Sequence, residues 1–196
     1  MMQELAMHIL DIVHNSIRAE ASSITVNVFC KKSEDICGFS VIDNGIGMRA
    51  DVLDKVLDPF FTTRTTRKFG LGLPLLKMTC TMCDGEFSIT SSPWQKTEVI
   101  AKMKRSHLDT PPWGDLAQTW MECFHGFPTG HLIFNFDFDN HKVVVDSDEI
   151  INTIGDRELC YDSAVLIQLR DYVADQITPY LREESYEIIE RFTAHS

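Results

Sequence analysis

The stretch from Ile24 to Met48 constrains the fold more than any other part of the chain. Ile24, Val26 and Val28 alternate with their neighbours, the period of a strand buried on one face. Lys31 to Asp35 is a polar turn, and Cys37 to Ile42 reads as the returning strand of a hairpin. That strand runs into Asp43-Asn44-Gly45-Ile46-Gly47-Met48. A carboxylate therefore leaves an apolar strand and meets a glycine-rich loop. Whatever the chain builds must include a sheet with this loop at its end.

The flanking segments supply helices for that sheet. Leu5, Ile9, Ile12, Val13 and Ile17 repeat at helical period within residues 3–19. A short helix is expected from Ala50 to Leu57, a loop from Asp58 to Phe69 and a helix from Leu71 to Met82. Strands follow at Glu86 to Thr90 and Thr97 to Met103, with Asp84-Gly85 as a turn. Ser106 to Gly114 contains Pro111-Pro112 and reads as a linker. Beyond it, a helix is expected from Asp115 to Phe124. His131 to Phe138 then alternates Leu132, Phe134 and Phe136 against Ile133, Asn135 and Asp137. Asp139-Asn140 turns this strand back into Lys142 to Val145. Ser147 is expected to cap a short helix through Ile154. A long helix should begin near Asp162 or Ser163 and run toward Arg191, with Pro179 kinking or splitting it.

Charge divides the chain. Residues 1–106 hold 13 Lys+Arg and 12 Asp+Glu, whereas residues 107–196 hold 5 and 17. Two modules, 1–106 and 107–196, are the expected organisation. The acidic half argues against nonspecific nucleic-acid or anionic-membrane binding, which needs basic residues to replace counterions. It suits a basic protein partner or a solvated face. No apolar run approaches the ~20 residues of a membrane span. The N-terminus lacks a basic segment followed by an apolar one, so a cytoplasmic protein is expected. The six cysteines should then be reduced thiols. Cys80-Thr-Met-Cys83 is the one close pair. It reads either as two small core residues on a helix or as a metal or redox pair, with no second pair to complete a zinc set.

Four separated segments carry the chemistry. Asp11, Asn15 and Arg18 are spaced four and three, so they share one helical face. A carboxamide oxygen suits a hard cation such as Mg2+. A carboxylate one turn earlier can orient or deprotonate a water, and an arginine can take a phosphate oxygen. Asp43, at the end of its strand, can accept a hydrogen bond from an exocyclic amine such as that of adenine. Gly45 and Gly47 let a flat ring approach the backbone. Asp58-Pro59-Phe60-Phe61-Thr62-Thr63-Arg64, with Arg67 and Lys68, pairs aromatic anchors with a cationic cluster able to close over phosphates. Gly70-Leu71-Gly72-Leu73-Pro74 opens a helix, where free N–H groups make a phosphate seat. Each segment also has a plainer reading: a solvated stripe, an Asp-Asn-Gly turn, a cationic loop, a helix start.

The order of these segments resembles the GHKL superfamily, the ATP-binding domains shared by sensor histidine kinases, bacterial serine kinases, type II topoisomerases, mismatch-repair ATPases and a heat-shock chaperone. Asn15 matches its N box, Asp43 to Gly47 the DxGxG of the G1 box, Phe60-Phe61 the F box, and Gly70-Leu-Gly-Leu73 the G2 box. Thr97 matches the threonine that supports adenine. The likeness covers about residues 3–104, and Pro59 to Arg64 is especially like histidine kinases.

The resemblance implies an α+β Bergerat-type two-layer sandwich, a mixed sheet covered by helices, with a smaller C-terminal α/β module. It implies ATP and Mg2+ as ligands, with Asn15 on the metal and Asp43 on the adenine amino group. Gly45, Gly47, Met48, Gly70, Leu71, Gly72, Leu73 and Thr97 would line the nucleotide. Arg18, Phe60, Thr62, Thr63, Arg64 and Lys68 would surround its phosphates and lid. Asp11 stands where hydrolysing branches carry a catalytic glutamate, on a stem one methylene shorter. Lys68 replaces the first glycine of an extended GxGxG. His14, beside Asn15, is a phosphate ligand, a base or a structural histidine. His8 lacks the surroundings of a phosphoacceptor, so an incomplete sensor kinase is expected. A softer likeness, around His107 to Leu116, is to small stand-alone ATP-binding proteins of anaerobic bacteria grouped with iron hydrogenases. The implied function is Mg-dependent ATP binding, with transfer of the γ-phosphoryl to a partner protein or to water. The alternative is an ATP/ADP-sensing subunit of a redox complex.

Overall fold

The computed structural model describes residues 4–53, 55–57, 72–139 and 141–193. Helix α1, Leu5–Arg18, buries Leu5, Ile9, Ile12, Val13 and Ser16 along the stripe that its periodicity predicts. Glu4 caps it with backbone geometry alone. Its first amides are met instead by the linker: Leu5 N–H donates to the Pro112 carbonyl at 3.0 Å and Ala6 N–H to that of Trp113 at 2.9 Å. Two of the orphan donors of a helix start are thereby satisfied from a distant part of the chain.

Strands β1 (Ser23–Lys31) and β2 (Ile36–Asp43) form the expected hairpin. After α2 (Ala50–Leu53), shorter than expected, come α3 (Gly72–Met82), β3 (Glu86–Ser92) and β4 (Lys96–Lys104). The second half adds α4 (Leu116–Gly126), β5 (His131–Phe138), β6 (His141–Asp146), α5 (Ser147–Ile154) and α6 (Ser163–Thr193). Asp115 caps α4 by accepting from Gln118 N–H at 2.8 Å. Ser147 does not cap α5. Asp146 does, accepting from Asp148 N–H at 2.8 Å, while the Ser147 hydroxyl is buried and accepts from Leu132 N–H at 2.9 Å. A carboxylate one residue earlier wins the cap because the serine is already turned into the sheet. Pro179 lies inside α6, which continues through it.

All six strands join one sheet in the order β3-β4-β2-β1-β5-β6. Every pairing is antiparallel except β1 with β5, which is parallel from Ser23↔His131 to Cys30↔Phe138. The register places Val26 beside both Val41 and Phe134, and Val28 beside both Phe39 and Phe136. These side chains share one face and are fully or almost fully buried. Helix α3 covers β3 and β4, α1 covers β1 and β2, α4 packs between α1 and α6, and α6 reaches β6. The mixed α+β sandwich expected from the resemblance is present. The charge break at residue 106 does not divide the sheet or its core. Phe134, Phe136 and Trp120 belong to the same buried cluster as Ile9, Val26 and Phe39.

The opposite face carries a polar ladder across three strands. Asn135 Nδ2 donates to Asn27 Oδ1 and Asn27 Nδ2 to Ser40 Oγ, each at 2.9 Å. Lys31 pairs with Asp137 at the end of the same strands. Among the described residues no helix is long and apolar enough to cross a membrane.

Because the two halves share a core, unfolding should be a single transition. Phe134→Ala should destabilise the whole chain by about 3–5 kcal/mol. Urea denaturation followed by tryptophan fluorescence and far-UV circular dichroism should move together. Separate transitions for the two halves would contradict the shared core.

Candidate functional site: a cavity between α1, the β2 loop and α3

The β2 strand delivers Asp43 to the end of the sheet with its carboxylate buried, only 6% exposed. A buried carboxylate needs donors, and two are in place. Ser16, on the next helix face, donates from Oγ to Oδ2 at 2.7 Å, and the Gly45 N–H donates to Oδ1 at 2.9 Å. The loop that follows is tied down from both sides. Ile46 N–H donates to the Ala19 carbonyl, and Trp94 N–H donates to the Ile46 carbonyl, both at 2.8 Å. Asn44 Oδ1 accepts from the amides of Ser22 and Ser23 at 2.9 Å. Gly47 takes φ +64°, and a Cβ there would run into the Ser92 carbonyl, so this turn needs glycine. Met48 N–H donates to Ser91 Oγ at 2.8 Å. Ser91 in turn lies 2.8 Å from the hydroxyl of Thr97, the register partner of Asp43 on β4.

Between this loop, α1 and the start of α3 lies a cavity of about 510 Å3. That is within the roughly 300–1,000 Å3 of small-molecule sites. Asp43, Ile89, Thr97 and Val99 line it from the sheet, and Gly47 and Met48 from the loop after β2. Asp11, Asn15 and Arg18 line it from α1, and Gly72 and Leu73 from α3. The spacing on α1 therefore does what it predicts. Asn15 Nδ2 reaches Asp11 Oδ2 at 3.5 Å, and Arg18 donates to Asn15 Oδ1 at 2.7 Å. Gly72 admits the Asp11 carboxylate, which a Cβ would strike.

Not every expected residue stands on the wall. Gly45 sits behind Asp43 and acts through its amide. His14 does not line the cavity; its ring lies beside Gly126 at the end of α4. Phe60, Thr62, Thr63, Arg64, Arg67, Lys68, Gly70 and Leu71 lie outside the described residues. Conversely, Ser16 and Ser91 hold the site without having been singled out from the sequence. The signal for Ser16 was present: it continues the buried stripe of Leu5, Ile9 and Ile12, and a buried hydroxyl implies a partner. Arg49, bidentate with Asp51 at 3.0 and 2.7 Å, lines the cavity mouth.

His8 lies one turn before Asp11 and is buried. Burial pulls its pKa down against the opposing pull of Asp11, which favours the neutral ring. Its Nε2 has no hydrogen-bond partner among the described residues. Cys80 and Cys83 are both in the core. Burial, reinforced by the neighbouring Cys83, pushes the Cys80 thiol up from 9.0 to about 12. Both lie at the carboxyl end of α3, where the helix dipole also disfavours a thiolate. Among the described residues no three His, Cys, Asp or Glu side chains are grouped to hold a metal.

The sequence profile of the family described as "Histidine kinase-, DNA gyrase B-, and HSP90-like ATPase" matches residues 3–107. The chain belongs to this family, and that stretch is an ATP-binding domain of the histidine-kinase-like type. The sensor histidine kinase YxdK of Bacillus subtilis is 32% identical over 95 residues, covering 45% of this chain and 29% of that protein. The non-motile and phage-resistance protein of Caulobacter vibrioides is 32% identical over 110 residues, covering 52% of this chain and 13% of that one. The chain thus matches less than a third of either relative's length. Among solved structures, the N-terminal domain of a DNA repair protein superposes with a TM-score of 0.50 at 12% identity. It covers 74% of this chain and 52% of its own, and it bears on the fold alone.

The buried thiols give a pH-dependent expectation. The folded Cys80 pKa lies above the unfolded value, so its stabilising contribution is complete below about pH 9 and is lost as pH rises toward 12. Denaturation midpoints should therefore fall between pH 8 and pH 10.5. At pH 8, iodoacetamide should leave Cys80 and Cys83 unmodified until the chain is unfolded, which peptide mass spectrometry reads directly.

Proposed function

We propose that this protein binds Mg·ATP in the cavity between α1 and α3 and passes the γ-phosphoryl to a partner protein or to water. The observation that carries the reading is that one cavity is lined from the sheet by a buried acceptor, Asp43, and from α1 by the Asp11-Asn15-Arg18 stripe. A purine would sit on the sheet side, where the Asp43 carboxylate would accept from its 6-amino group and Thr97, Ile89 and Val99 would line the ring. The triphosphate then runs toward α1 and the amino end of α3, whose dipole favours anions.

The donor set fits Mg2+ in kind. Asn15 Oδ1 is a hard oxygen with two lone pairs, one of them taken by Arg18. Bound there, Mg2+ would neutralise charge on the β- and γ-phosphates. Arg18, which also lines the cavity, would offer its guanidinium to the same oxygens. Asp11 would accept the proton of the attacking hydroxyl, imidazole or water as the new bond to phosphorus forms and the bond to the β-phosphate oxygen breaks. Most of the rate then comes from positioning and charge neutralisation. The acidic second half, residues 107–196, suits a basic partner or a solvated face, and the cytoplasm is the expected location.

Asn15→Ala should lose the Mg2+-dependent part of ATP affinity, measured by calorimetry with and without the metal. Unchanged metal dependence would remove Asn15 from that role. Asp11→Asn should keep ATP affinity within about threefold while turnover falls by ~100-fold or more. Incubation of the full chain with γ-labelled ATP and proteins purified from the same extract separates the outcomes. Label on a protein identifies a kinase, label as free phosphate an ATPase. Label remaining on ATP would replace both with nucleotide sensing.

A further inference from the structure

A carboxylate at the end of a purine pocket does not select adenine unaided. Guanine presents N1–H and its 2-amino group side by side, and a carboxylate free to turn both oxygens toward that edge accepts the pair. Parallel, charge-assisted bonds of this kind are the strong ones. Adenine presents one donor group, the 6-amino, next to the acceptor N1. Discrimination therefore depends on how the carboxylate is held.

Asp43 is held on both oxygens by groups of the protein wall. The Ser16 hydroxyl donates to Oδ2 at 2.7 Å, within the core. The Gly45 amide donates to Oδ1 at 2.9 Å. Ser16 is itself only 3% exposed. It stands on α1, a rigid element whose neighbouring turns are fixed by Ile12 and Val13 in the core. The Gly45 amide belongs to the loop pinned between Ala19 and Trp94. One oxygen is thus drawn toward the helix and the other toward the loop, so a carboxylate that turned to present both oxygens to a base edge would have to leave one of these donors. Each oxygen has also given up one of its two acceptor positions.

Resting on the reading of the cavity as a purine site, we infer that Ser16 is a specificity-determining positioning residue: by holding Asp43 Oδ2 against α1, it restricts the carboxylate to a single acceptor for adenine and denies guanine its paired bonds. Gly45 acts through backbone and is common to any residue that fits there. Ser16 is the part of the device that a side chain supplies.

The test is calorimetric affinity for Mg·ATP and Mg·GTP on the full chain and three variants. Wild type should favour ATP. Ser16→Ala should lower the ATP-over-GTP preference by about tenfold or more, chiefly by tightening GTP. Ser16→Cys keeps the shape with a weak donor and should lower it likewise; it carries the test if the alanine variant does not fold. Ser16→Thr keeps the hydroxyl and should keep the preference. A merely structural serine would weaken both nucleotides by one factor and leave the ratio unchanged, which would overturn the inference. So would loss of preference in Ser16→Thr, or a wild type that binds ATP and GTP equally. A wild type that binds no adenine nucleotide would overturn the purine reading itself, and the role of Ser16 with it.

Discussion

A buried carboxylate organises the domain. Asp43 ends β2 inside the protein, and an ion there is tolerated only if donors reach it. Ser16 supplies one, which brings α1 within hydrogen-bond distance of the sheet's end. Gly45 supplies the other, which makes the chain turn at once on leaving the strand. That turn puts Ile46 against Ala19 and the β3-β4 hairpin against Ile46. A helix, a loop and a hairpin are therefore gathered around a single charge, and the cavity is the space they leave. Function and fold share this charge: the group that the protein must satisfy is the one that a ligand would read.

The second half contributes structure as well as charge. β5 pairs in parallel with β1, and Leu132, Phe134, Phe136 and Phe138 extend the buried core that includes the apolar faces of α1 and α4. Trp120 stacks on Phe124 at 5.3 Å and Phe124 on Tyr161 at 4.9 Å, closing the far side of the same core. Asp148, Glu149, Glu158 and Asp171 are exposed on the outside of this half, while its inner side chains join the shared apolar core.

Much of this was legible in the sequence, because period and punctuation are local signals. The α1 stripe, both hairpins and the alternation of β5 follow from side-chain spacing alone. The Asp11-Asn15-Arg18 face follows from helical geometry. What was not legible is long-range. Alternation identifies β5 as a strand but not β1 as its parallel neighbour, so the charge break looked like a boundary that the sheet ignores. Ser147 has the chemistry of a cap and loses the position to Asp146 because Leu132 claims its hydroxyl. His14, adjacent to Asn15, points a different way because successive helical residues diverge by about 100°. Ser16 was hidden by the opposite effect: its place on the apolar stripe made it look inert.

The start of α1 carries one more implication. Its opening amides are tied to the carbonyls of Pro112 and Trp113, the segment that joins the two halves. About two turns farther along for Asp11 and three for Asn15, the same rod presents both to the cavity. A helix is stiff along its axis, so displacement at its foot is delivered to its far turns with little loss. Anything that tugs residues 112–113 also tugs the helix that lines the cavity with Asp11 and Asn15, and the joint between the halves is thereby a lever arm rather than a mere tether.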